Sequence, residues 1–121
     1  MAAGKWAISL IKGDTFKLRF KILDAGVARN LTGWTVKMQV RQFATSTTKL
    51  LDITSANNTA DHTITLNHSS VQGVVDIVVA AALISELPLG RLVYDIQFTS
   101  PGGEVSTELQ GPFIVGLEVT Q

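Results

Sequence analysis

Along residues 16–22 the apolar side chains of Phe16, Leu18, Phe20 and Ile22 alternate with Lys17, Arg19 and Lys21. A period of two sends successive side chains to opposite faces of an extended chain, so this stretch predicts a strand with one buried face and one basic face. Trp34, Val36, Met38 and Val40 alternate in the same way with Thr35, Lys37, Gln39 and Arg41. Further on, Leu92, Tyr94, Ile96 and Phe98 alternate with Val93, Asp95, Gln97 and Thr99. A slip of one residue in any of these strands would expose its whole apolar set. The pattern therefore predicts a core of Phe16, Leu18, Phe20, Trp34, Val36, Met38, Val40, Tyr94, Ile96 and Phe98.

The remaining stretches are shorter. Trp6, Ile8 and Leu10 predict a first strand, with Trp6 in phase with the apolar face. Lys12-Gly13-Asp14, Asp24-Ala25-Gly26 and Asn30-Leu31-Thr32-Gly33 read as turns, and Ser100-Pro101-Gly102-Gly103 as a chain reversal. The return strand sets Val105, Thr107 and Leu109 against Ser106, Glu108 and Gln110, and after Gly111-Pro112 a separate strand is predicted from Phe113 to Val119. Lys49–Thr54, Thr63–Asn67 and Val74–Val79 add three more strands, and Ala80–Glu86 has the composition of one helical turn, ended before Pro88. The expectation is an all-β chain: an immunoglobulin-like antiparallel β-sandwich of about seven or eight strands, with at most one short helical turn near 80–86.

A length of 121 residues fits a single domain, 1–121, able to bury a core without staples. There is no cysteine, which removes disulfides, thiolate metal sites and thiol nucleophiles together. The longest apolar run, Val74 to Ile84, is interrupted by Asp76 and is too short to span a membrane. The first residues lack the apolar segment of a signal peptide, so the chain is expected to be made and kept in the cytoplasm. Net charge is zero but unevenly placed. Residues 1–60 hold nine basic and three acidic side chains, a net of +6; residues 61–121 hold one basic and seven acidic, a net of −6. Such asymmetry either steers contacts between copies or is neutralised by pairing of strands from the two halves.

Candidate chemistry is thin. His62 and His68 are the only histidines, and no acidic cluster joins them at metal-ligand spacing. Ser69 and Ser70 beside His68 lack the G-x-S-x-G elbow that would aim a nucleophile, and no G-x-G-x-x-G or phosphate-binding loop is present. The sequon matches at Asn30, Asn57 and Asn67 carry little meaning without a secretory signal. No catalytic residue, metal ligand or cofactor is therefore assigned. The basic row Lys17, Arg19 and Lys21, extended by Lys37 and Arg41, lacks the interleaved aromatics of a nucleic-acid surface.

Three segments in order carry a resemblance: Ile11-Lys12-Gly13-Asp14-Thr15-Phe16, then Asn30-Leu31-Thr32-Gly33-Trp34 leading into Thr35–Arg41, then Gly90-Arg91-Leu92-Val93-Tyr94-Asp95 with Gly111-Pro112-Phe113. Together they resemble small structural proteins of tailed bacteriophages and the N-terminal domain of phage baseplate upper proteins. There a "GDT" strand start, an "LTG" bend and a late "G-x-x-x-Y-D" strand mark an immunoglobulin-like fold. The resemblance implies a non-enzymatic virion protein of the tail, baseplate or fibre attachment, made in the host bacterial cytoplasm and partnered by itself and other phage structural proteins. It names no catalytic residues. No coiled coil or receptor-binding module follows the sandwich here, which points to a free-standing adaptor or to a capsid decoration protein. A carbohydrate- or host-surface-binding module is the alternative of another class. Neither nucleic acid nor membrane is an expected partner. For contacts between copies, the basic row Lys17, Arg19 and Lys21 is expected to meet Asp95, Glu104 or Glu108 of a neighbour, with Lys37 and Arg41 as further interaction residues.

Overall fold

The two most regularly alternating basic strands turn their apolar faces into one core from opposite sheets. The computed structural model describes residues 4–43 and 45–116. In chain order the elements are β1 (Gly4–Lys5), β2 (Ile8–Ile11), β3 (Phe16–Lys21), β4 (Leu23–Asp24), β5 (Val27–Ala28), β6 (Thr35–Arg41), β7 (Leu51–Thr54), β8 (His62–Leu66), β9 (Val74–Val79), α1 (Ala81–Ile84), β10 (Gly90–Thr99) and β11 (Val105–Gly116). Eight of these strands are four residues or longer, and α1 is the single helical turn expected near 80–86.

A larger sheet runs β1-β11-β10-β6-β7, with β2 also on β11, and a smaller one runs β3-β9-β8. The chain passes from β7 across to β8 and β9, then returns through α1 to β10 and β11. This is the strand arrangement of an immunoglobulin-like sandwich. All ten residues expected in the core lie there: Phe16, Val36, Met38, Val40, Tyr94, Ile96 and Phe98 are buried, and Leu18, Phe20 and Trp34 are partly buried against them. β9, which alternates Val75, Ile77 and Val79 inward, and Phe113 and Val115 of β11 complete the centre. Aromatic edges tie the sheets together, with Phe16 to Phe113 at 5.7 Å and Phe20 to Phe98 at 6.3 Å between ring centres.

Three expectations need correction. The N-terminal strands are not antiparallel to their neighbour: β1 and β2 both run parallel to β11, Lys5 against Gln110 and Ile8 against Phe113. Nor does Gly111-Pro112 divide the last segment, because β11 runs through both residues to Gly116. Pro112 has no N–H to give, and it lies opposite the break between β1 and β2, where none is needed. The part of that expected strand after Gly116 lies outside the described residues.

Trp6 is the third. It is 56% exposed rather than in the core. Its backbone is held at the β1–β2 break: the N–H donates to the Gln110 carbonyl at 3.0 Å, and the carbonyl accepts from the Tyr94 hydroxyl at 2.8 Å. Gly111 makes that approach possible, since a Cβ at this position would run into the Trp6 backbone.

Candidate functional site

The residues expected to make contacts do not form one surface. Lys17, Arg19 and Lys21 stand exposed on the outer face of the smaller sheet. Lys37 and Arg41 lie on the outer face of the larger sheet, on the opposite side of the sandwich. Two ion pairs within the chain join the basic first half to the acidic second half. Arg19 Nε donates to Asp76 at 3.0 Å across the β3–β9 ladder, and Arg29 of the first half reaches Glu108 of the second.

Glu108 overturns the alternation expected of its strand. Among the described residues it is the one buried charged side chain, 9% exposed, where an outward carboxylate is expected. The reason is a bulge: between Ile96 and Gln97 the β10–β11 register steps from Leu109 to Thr107, leaving Glu108 as the extra residue. Its carboxylate accepts from Arg29 Nη1 at 3.1 Å and from the Ser106 hydroxyl at 2.7 Å. It is engaged within the chain and is not a surface acid for a neighbour. Glu104 does remain exposed, on the β10–β11 turn, where its backbone closes the turn with Ser100.

Around Glu108 the chain builds a cluster that centres on Arg29. The guanidinium makes a two-pronged pair with Asp24 at 2.7 and 2.8 Å and lies over the Trp34 ring at 4.8 Å. Hydrogen bonding from Arg29 holds the Asp24 carboxyl below its usual range, and the same partners raise the Arg29 pKa. Nothing in the local sequence marks Arg29, because its partners lie 5 and 79 positions away and one of them is inverted by the bulge.

Asp95 sits in mid-sheet. Cross-strand partners place it between Gln39 of β6 and Gln110 of β11, and Gln110 is paired in turn with Lys5. With Arg41 and Gln97 these side chains line an open hollow of about 470 Å³. Burial raises the Asp95 pKa, against the opposing pull of Arg41 and Lys37. Much of the surrounding polarity is already spent on internal bonds, as Arg41 donates to Gln39 at 2.8 Å and Gln39 to Asp52 at 3.3 Å.

No protein-family model and no curated protein matches the chain.

A second depression, about 420 Å³, opens where the two sheets part along β2 and β3. Trp6, Ile8, Leu10, Ile11, Phe16 and Leu18 contribute to its walls, and Lys17 stands at its rim. Its opposite, along β7 and β8, is closed by the crossing Ser55–Asn58. There the Ser55 hydroxyl accepts from the Val36 N–H at 2.9 Å, and the Asn58 carboxamide bonds the backbone of Ile64. The histidines are occupied separately. Arg19 Nη2 lies 3.1 Å from His68 Nε2, and Thr59 Oγ1 lies 3.4 Å from His62 Nδ1. Among the described residues, no group of three or more His, Cys, Asp or Glu comes together as metal ligands would.

Proposed function

We propose that the protein is a non-enzymatic structural subunit of a tailed bacteriophage virion, an adaptor of the tail, baseplate or fibre attachment present in many copies. Its work is to hold neighbours by surface complementarity, with symmetry multiplying each weak contact. The observation that carries this reading is where three segments fall on an immunoglobulin-like sandwich. Gly13-Asp14-Thr15 leads into β3, Leu31-Thr32-Gly33 forms the bend before β6, and Gly90 to Asp95 opens β10. These are the same three segments that carry the resemblance to phage structural proteins. The open seam between β2 and β3 supports the same reading, since its largely apolar walls offer a contact surface to a neighbour.

The test is the composition of purified particles. Quantitative mass spectrometry of virions should find this chain at a fixed multiple of a known tail or baseplate protein. Abundance in infected-cell lysate together with absence from the particles would defeat the proposal.

One observation favours a carbohydrate- or host-surface-binding module instead, namely the exposure of Trp6. Sugar binding wants an aromatic plane beside hydrogen-bonding groups. Here Trp6 lines the seam together with Ser9, Asp14, Thr15 and Lys17, while Lys5, Gln39, Asp95 and Gln110 line the other hollow.

A further inference from the structure

The smaller sheet has two outer edges, and the chain treats them differently. Along β8, the Asn58 carboxamide donates to the Ile64 carbonyl at 3.2 Å and accepts from the Ile64 N–H at 2.9 Å. Beside it the Thr59 N–H donates to the His62 carbonyl at 2.9 Å. These contacts take up the outward N–H and C=O of Ile64 and the carbonyl of His62 in the middle of the edge, where a foreign strand would pair, which is how natural sheets guard an edge.

The same contacts fix the phase of the whole ladder. Ile64 turns its backbone groups away from β9, so its partner Ile77 turns its own toward β3, where it meets Leu18. The bond from the Ile22 N–H to the Gly73 carbonyl, 2.9 Å, keeps that phase at the far end. It follows that Lys17, Arg19 and Lys21 aim their backbone N–H and C=O groups outward from the sheet. Among the described residues nothing pairs with them. On the outer face of this edge Lys17 and Lys21 stand exposed, while Arg19 is already paired with Asp76 of β9. The inner side gives onto the apolar seam, where Leu10 and Leu18 are half-buried and Trp6 is exposed.

We propose that the β3 edge receives an extended segment of a different protein in which acidic residues alternate with apolar ones. The segment adds to β3 as a fourth strand of the smaller sheet. Residues opposite Lys17, Arg19 and Lys21 share their outer face, and there carboxylates are favoured by the ammonium groups of Lys17 and Lys21. Residues opposite Phe16 and Leu18 point inward and fill the seam, so they are apolar. Backbone pairing supplies affinity, and the alternation supplies specificity. This deepens the proposed function by naming the surface through which such a subunit engages its neighbour.

The probe is a synthetic eight-residue peptide alternating glutamate with valine, added to the full chain and followed by amide hydrogen exchange. The Lys17 and Arg19 amides, fast in the free protein, should slow by at least about tenfold when the peptide binds. Two variants test the two halves of the idea. Lys17→Pro removes an outward N–H and leaves the β3–β9 ladder intact, and Lys17→Glu with Lys21→Glu reverses the charge at exposed positions. Each should weaken peptide binding by about tenfold or more. Should Lys17→Pro fail to fold, a peptide N-methylated at alternate residues makes the same test on the unaltered protein, and it should not bind. Protection that appears elsewhere or nowhere overturns the proposal, as does equal binding of a peptide with lysine in place of glutamate. Slow exchange of Lys17 and Arg19 without peptide that is lost on dilution overturns it too, because a second copy would then occupy the edge. A chain found in purified particles whose β3 ignores the peptide defeats this proposal alone; a chain absent from particles that binds the peptide defeats only the virion reading.

Discussion

Arg29 and Glu108 meet at 3.1 Å across 79 positions of sequence, with only 12% and 7% of their side chains exposed. Asp24 clamps the same guanidinium from the other side, and Trp34 and Phe98 lie beneath it. The cluster ties the β4–β5 hairpin, the start of β6 and the bulge of β11 to one cation, so its members stand or fall together.

Breaking that pair from one side should be costly. Glu108→Ala leaves a buried guanidinium with only Asp24, and Arg29→Ala leaves a buried carboxylate with only Ser106. Each should lower stability by about 3–5 kcal/mol, because an uncompensated charge stays behind. Arg29→Met combined with Glu108→Leu removes both charges and should recover most of the loss. Urea denaturation of the three variants, read as a double-mutant cycle, checks this, and additive losses in the double variant would refute it.

How far the sequence foretold the molecule divides along the same lines. Strict alternation made β3, β6 and β10 legible, since each buries one face and each expected core residue on them lies inside. The short helical turn was legible from the apolar run before Pro88. Parallel pairing of β1 and β2 with β11 was not, because which strands become neighbours depends on contacts between the two ends of the chain. Glu108 was misread for a physical reason, a bulge that shifts phase by one residue without any mark in composition. Trp6 was misread because alternation gives a face and not a depth: it belongs to an inward row but stands at the open end of the seam. The proposed contact set was legible only in part, as β3 carries its cations outward while Lys37 and Arg41 belong to the other side.

Gly111 and Tyr94 together admit the N-terminal strand. Gly111→Ala drives a Cβ into the backbone of Trp6, a contact that no flexible side chain can relieve. It should cost about 1–3 kcal/mol, in the range of overpacking, and change Trp6 fluorescence as β1 and β2 lift. Tyr94→Phe orphans the Trp6 carbonyl and should cost about 1 kcal/mol. Burial raises the Tyr94 pKa to about 12 from the ordinary 10.0. The folded protein thus keeps a phenol proton that the unfolded chain releases, and stability falls as pH rises from about 10 to 12. Ultraviolet titration of the lone tyrosine checks the shift; ionisation near 10 in the native protein would contradict it.

Asp95 gives the opposite kind of pH signal from Asp24. Burial raises the Asp95 pKa, so between its unfolded and folded values the native chain binds the extra proton and stability falls as pH rises. Asp24 is lowered by Arg29, so its contribution is present above its unfolded pKa and is lost as pH falls through the folded one. Asp95→Asn should therefore melt at a higher temperature than the parent at pH 7 and at nearly the same temperature in acid. A variant less stable than the parent at pH 7 would mean that the attraction of Arg41 and Lys37 outweighs the burial.

Asn58 guards the β8 edge, and removing it should unmask a hazard the chain has closed. Its side chain satisfies both backbone groups of Ile64 at once, a task otherwise left to a neighbouring strand. Asn58→Ala loses two hydrogen bonds at an edge that water reaches in part, so the expected destabilisation is modest, about 1–2 kcal/mol. The larger effect should be on association. An unguarded Ile64 sits in a β-rich run with no charge, Thr63 to Leu66, next to an apolar interior. Asn58→Asp keeps the acceptor for the Ile64 N–H but loses the donor to its carbonyl, and its negative charge repels acidic strands, so it should stay monomeric. Light scattering across a concentration series separates the cases. Self-association is expected in Asn58→Ala and not in Asn58→Asp or the parent. Should Asn58→Ala remain monomeric with slow exchange at Ile64, the edge is covered by something other than Asn58, and the contrast drawn between the β8 and β3 edges fails with it.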